Sequence, residues 1–144
     1  MHFTTPTLLL ALAATLNASA IPSFTTILPP SALLAADYPN AVHCGQKNPA
    51  VNMAIDNFCN RENGHGQLAN NLTIGTPWAR NGVTHDGFRV SITGPNCPGN
   101  SRWVPAEYCN AQFHYLCAVR GGPMGAGEME FGASGCQEWK IERL

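Results

Sequence analysis

The sequence predicts an α+β domain in which two helices pack on a small, mostly antiparallel sheet and three disulfides hold the parts together. Three observations predict it. Residues 48–59 carry the cap and the apolar period of an amphipathic helix, and residues 83–93 alternate as strands about a tight turn. Six cysteines, spread from Cys44 to Cys136, follow a secretory leader.

The leader comes first. Residues 1–20 read as a signal peptide, with an apolar run from Leu8 to Leu16 and Ala18-Ser19-Ala20 as small residues before the cleavage point. The run is too short to span a membrane, which takes about 20 apolar residues. No second such run follows, and the terminal Ile141-Glu142-Arg143-Leu144 matches no lipidation or retention signal. The expectation is a secreted, extracellular chain with no membrane partner after signal cleavage.

Residues 21–43 read as a leader segment, either an N-terminal extension or a propeptide without a dibasic site. Pro22, Pro29, Pro30 and Pro39 are expected to break any long element there, while Ser31–Ala36 could form one helical turn or pack on the domain. Residues 44–144 form the cysteine-rich domain.

Within it, Asn48 is a good N-cap and Pro49 suits the first helical position. Val51, Ala54, Ile55, Phe58 and Cys59 then recur at helical spacing, and Asn63-Gly64 is the expected stop. Leu72-Thr73-Ile74 reads as a short strand ended by Gly75-Thr76-Pro77. Asn81-Gly82 and Asp86-Gly87 are turn dipeptides. After the second, Phe88, Val90 and Ile92 alternate with Arg89, Ser91 and Thr93, and Val83-Thr84-His85 is placed to pair across the turn. Residues 94–103 read as a loop.

A second helix starts near Pro105, with Cys109, Phe113, Leu116, Cys117 and Arg120 on one face, and Gly121-Gly122-Pro123 ends it. Two strands follow, with Met129 and Phe131, then Trp139 and Ile141, pointing inward.

Cys44, Cys59, Cys97, Cys109, Cys117 and Cys136 are even in number and are expected to form three disulfides. The chain has no C-x-x-C pair or H-E-x-x-H to favour zinc, so no metal and no cofactor are expected. Cys109 and Cys117 lie about 12 Å apart along a helix rising ~1.5 Å per residue. A disulfide needs Cα atoms within about 7 Å, so each should tie the helix to another segment.

Formal charge is −1 and charged residues make up 12% of the chain, against about 25% in an average domain. With no basic stripe to gather phosphates, nucleic acid is not an expected partner. A neutral surface of Asn, Gly, Ser, Thr and Gln suits uncharged, hydroxyl-rich ligands.

Catalytic motifs are missing: no G-x-S-x-G occurs, and Gly121–Gly127 lacks the G-K-[ST] of a phosphate loop. A ribonuclease would need a base such as Glu107, an acid such as His85 or His114, and Arg89 or Arg102 for phosphate. Those residue types are present, but no spacing links them. His43 and His65 have no partner by spacing, and His114 reads as a packing or surface residue. The expected role is therefore non-catalytic.

The aromatic residues carry the ligand argument. Trp78, Trp103, Tyr108 and Trp139 flank turns or element ends, where a ring face left exposed can stack on the C–H face of a sugar. The favoured patch is Trp78, Arg80, Asn81, His85 and Asp86, on neighbouring turns. Against it, each tryptophan taken singly is more often core, and His85-Asp86-Gly87 is more simply a hairpin turn. Asn71-Leu72-Thr73 is an N-glycosylation sequon, so the chain is read as a glycoprotein.

Several of these pieces together resemble a family of small secreted fungal glycan-binding proteins, lectin-like and known from mushrooms. They are Cys44-Gly45 before Asn48, Ala54-Ile55-x-x-Phe58-Cys59, Val90-Ser91-Ile92-x-Gly94, Cys97, Cys109-x-x-x-Phe113-His114-x-x-Cys117, and Phe131-Gly132-x-x-Gly135-Cys136-Gln137. The resemblance covers residues 44–141. It implies a single αβα-sandwich domain, recognition of glycans without catalysis, a role in defence, and self-association as a homodimer. It carries over no binding residues. The alternatives are a secreted effector or toxin acting on a protein or cell-wall target, and a small secreted hydrolase.

Overall fold

The computed structural model describes residues 29–60 and 71–144. The expected signal peptide, the first part of the leader segment, the Asn63-Gly64 stop and His65 lie outside them. Among the described residues the chain is mixed α+β, as its patterning predicts, with five helices, two antiparallel sheets and three disulfides.

Helix α3 (Pro49–Cys59) follows its sequence rule. Asn48 Oδ1 accepts from the amides of Ala50 (3.1 Å) and Val51 (3.4 Å), and Pro49 opens the helix. Val51, Ala54, Ile55, Phe58 and Cys59 are all buried.

The leader segment departs from expectation in α2 (Asp37–Lys47), whereas Ser31–Ala35 is helical and packs on the domain as read. It contributes α1 (Pro30–Ala35) and most of α2, an 11-residue helix that contains Pro39. Proline is tolerated there because Pro39 is the third helical residue, in the turn whose amides have no partner within the helix. Leu33 of α1 belongs to the core.

Helix α5 (Ala106–Tyr115) continues into a π-helical turn over Leu116–Arg120. Cys109, Phe113, Leu116 and Cys117 are buried as expected, but Arg120 is exposed. The wider π turn rotates it off the α-helical register. Lys47, at the end of α2, donates to the carbonyls of Cys117 and Ala118 (2.9 Å each) and Gly121 (3.3 Å), oxygens that a helix end otherwise leaves unpaired. Cys44–Cys117 and Cys59–Cys109 bind α5 to α2 and α3, so neither α5 cysteine pairs with the other.

The larger sheet has the order β2-β3-β6-β5, from β2 (Val83–His85), β3 (Phe88–Thr93), β5 (Gly127–Phe131) and β6 (Gln137–Arg143). Asp86 (φ 45) and Gly87 (φ 80) form the two-residue turn that pairs His85 with Phe88. Val90 lies opposite Ile141 and Ile92 opposite Trp139. These four and Phe131 are buried, and Trp139 packs on Phe113 (ring centroids 4.6 Å) and Phe131 (5.2 Å). The alternate residues Arg89, Thr93, Glu138, Lys140 and Glu142 form a polar face. There Arg89 and Lys140 both pair with Glu142.

The smaller sheet pairs β1 (Asn71–Thr73) with β4 (Trp103–Pro105), Leu72 opposite Val104. Strand β4 lies at the end of the stretch read as a loop; what makes it a strand is a partner some thirty residues away. The sequon residue Asn71 is the first of β1. Helix α4 (Pro77–Asn81) takes the place of a plain turn, capped by Thr76 and closed by Gly82 at φ 69. A Cβ on Gly82 would meet the Val90 carbonyl oxygen at 2.1 Å, so this close approach of α4 to β3 needs glycine. The third disulfide, Cys97–Cys136, ties the loop after β3 to the turn before β6.

Candidate functional site

The five patch residues fall in different surroundings. Trp78 is partly buried: its ring stacks on Phe58, and its Nε1–H donates to the Phe58 carbonyl at 3.4 Å. Arg80 and Asn81, at the end of α4, are exposed. His85 and Asp86 sit at the hairpin tip, Nε2 to Oδ2 3.5 Å, with Asp86 78% exposed. The structure thus separates a packed indole from a solvated turn, and it draws Arg80 towards a different set of neighbours.

The residues a ribonuclease would recruit are engaged apart from one another. Arg89 pairs with Glu142, which holds the Glu142 carboxyl below its usual range; Lys140 adds to this and desolvation opposes it. His114, buried on α5, contacts Asp37 at the start of α2 through Nδ1, 2.6 Å from Oδ1. Glu107 is exposed in the first turn of α5.

Two grooves stand out. The first, about 480 Å³, is lined by Trp103, Pro105, Tyr108, Gln112, Phe131 and Gln137 among others, and none of its lining side chains is charged. Its size falls within the roughly 300–1,000 Å³ of small-ligand sites. Each wall has a local origin. Along β4, Val104 turns into the core while Trp103 stands 54% exposed. On α5, Tyr108 and Gln112 are one turn apart and share a face. Gly132 (φ 76) lets the chain turn from β5 past Gln137; a Cβ there would meet the Gln137 side chain at 2.7 Å. Gln137 Oε1 accepts from Trp139 Nε1 at 3.0 Å, which orients the amide. Gln112 Oε1 is buried with no hydrogen-bond partner among the described residues.

The second groove, about 430 Å³, is lined by Arg80, Ile92, Thr93, Gly94, Arg102 and Glu138 among others. Arg102 Nε donates to the Cys97 carbonyl at 3.0 Å, and Thr93 Oγ1 to Glu138 Oε2 at 3.0 Å.

Sequence reasoning included Trp103 and Tyr108 among exposed-face aromatics but did not group them. Their convergence with Gln112 and Gln137 comes from β4, α5 and β6 meeting in space, which no local spacing encodes. Compared with known proteins, the chain matches no family model, no curated protein and no solved structure.

Proposed function

We propose that this is a secreted, non-catalytic carbohydrate-binding protein whose sugar site is the groove between Trp103 and Tyr108. One observation carries the reading: an indole more than half exposed stands at a groove with no charged lining side chain. Sugar rings present C–H faces that pack on such a ring, while side-chain amides bond their hydroxyls.

Supporting arguments come from elsewhere in the chain. All six cysteines are paired, the usage of an oxidising compartment, and no helix among the described residues is long and apolar enough to cross a membrane. The motif resemblance to small fungal glycan-binding proteins points the same way. The test is a glycan array on oxidised protein beside its Trp103→Ala variant. Saturable hits that the variant loses support the reading, and an empty array removes it.

A second reading, a secreted effector binding a protein, is favoured by one feature: Tyr38 (81% exposed) and Val42 (39%) lie one turn apart on α2. Binding lost on Tyr38→Ser and kept on Trp103→Ala would select it.

A further inference from the structure

We propose that the second groove is an anion subsite that takes the carboxylate of an acidic sugar, a uronic or sialic acid residue, between Arg80 and Arg102. The proposal rests on the carbohydrate reading for the sugar, but the charge chemistry of the groove stands without it.

The side chain of Arg80, exposed in the last turn of α4, makes no hydrogen bond or ion pair among the described residues. Arg102 uses Nε on the Cys97 carbonyl, which orients the guanidinium, and its terminal nitrogens have no protein partner among the described residues. Glu138 lines the same groove but forms no ion pair with either arginine. Its Oε2 accepts from Thr93 instead. Arg80 and Arg102 therefore line one groove with no counter-charge bonded to either among the described residues.

A guanidinium offers a planar fork of donors that matches a carboxylate, and such charge-assisted pairs are among the stronger hydrogen bonds. Glu138 leaves the groove with one net positive charge, which suits a monoanion better than a doubly charged phosphate. The walls are fixed in advance. The Cys97–Cys136 disulfide lies behind Gly94, where a Cβ would stand 3.0 Å from both Cys97 Sγ and Ile74 Cγ2. The backbone of the groove then needs little ordering, and what the ligand has to order is the Arg80 side chain.

Position links this groove to the neutral one. Arg102 lines the charged groove and the next residue, Trp103, lines the aromatic groove; Glu138 and the preceding Gln137 divide the same way. Gln137 and Glu138 are successive residues of β6 and face opposite sides of the sheet, so the two grooves adjoin only at Arg102-Trp103.

The test is an NMR titration at constant ionic strength with sodium glucuronate, glucose, sodium acetate and sodium sulfate, reading the arginine side-chain and Trp103 indole signals. Glucuronate is expected to shift Arg80 and Arg102 saturably, and glucose to leave them still. Arg80→Gln, which breaks no bond in the fold, should weaken glucuronate by roughly tenfold or more. Arg102→Lys, which keeps the charge, should weaken it less. Silent arginines under glucuronate overturn the proposal, and acetate or sulfate binding as well as glucuronate overturns the assignment to a sugar. The two readings fail separately. Neutral oligosaccharides that move Trp103 while glucuronate leaves the arginines silent remove only this subsite. Glucuronate binding at the arginines beside an empty neutral array removes only the aromatic site.

Discussion

The indole of Trp78 lies over the ring of Phe58, the planes 14° apart and the centroids separated by 6.3 Å, and its Nε1–H is given to the Phe58 carbonyl. This contact fastens α4 to the end of α3, so a large part of Trp78's surface is spent on the fold.

Trp78→Ala is accordingly expected to destabilise the oxidised protein by about 1–3 kcal/mol, below the range for a fully buried tryptophan because the ring keeps some exposure. Urea denaturation measures it. Glycan binding by the folded variant should survive; its loss with stability intact would return the sugar site to the α4 patch.

Trp103→Ala is expected to do the reverse. The side chain is 54% exposed, so stability should change by about 0.5 kcal/mol or less, while affinity for an array-identified oligosaccharide falls at least roughly tenfold. Isothermal titration beside a thermal melt separates the two effects. Unchanged affinity would show that the indole does not touch the ligand.

Lys47→Met removes a cation that three carbonyls share at the end of α5. The expected cost is about 1–3 kcal/mol, the range for charged hydrogen bonds and the polar groups they satisfy. Amide exchange over residues 116–121 should speed up more than in the sheet. Uniform exchange across the whole chain would mean that the lysine does not hold the turn.

Glu142 supplies a pH dependence with a definite sign. Arg89 first, then Lys140, lowers its carboxyl in the folded state, against desolvation. Its contribution is therefore fully present above the unfolded carboxyl value, about 4.3, and is lost as pH falls through the lower folded one. Because the pair is partly exposed, Glu142→Gln should cost only about 0.2–1 kcal/mol at pH 7 and less at high salt. The gap from the native chain should close in acid. A gap that widened on acidification, followed by melts across pH 2–7, would reverse the assignment.

Much of the fold was legible because its signals are local. Asn48, Pro49 and the run from Val51 to Cys59 specify α3 within a few turns. Asp86-Gly87 sets the hairpin through backbone angles those two residues accept readily. The rise of a helix alone kept Cys109 from Cys117. Helix α2 was not legible: Pro39 looked like a breaker, and what holds the helix in place, Cys44 on Cys117 and Lys47 on the far end of α5, lies some seventy residues away. The candidate site was half legible, with its aromatics visible as residue types but not as a group.

The sequence by itself determined the fold class, the best-capped helix, the hairpin and the oxidised state of the cysteines, since each depends on neighbours along the chain or on residue chemistry. Tertiary structure alone decided that Trp78 is packed against Phe58 while Trp103 stands at a groove, and that Arg80 and Arg102 share another. Side-chain exposure is set by what distant elements bring alongside, and α3, β4, α5 and β6 meet only after the chain has closed on itself.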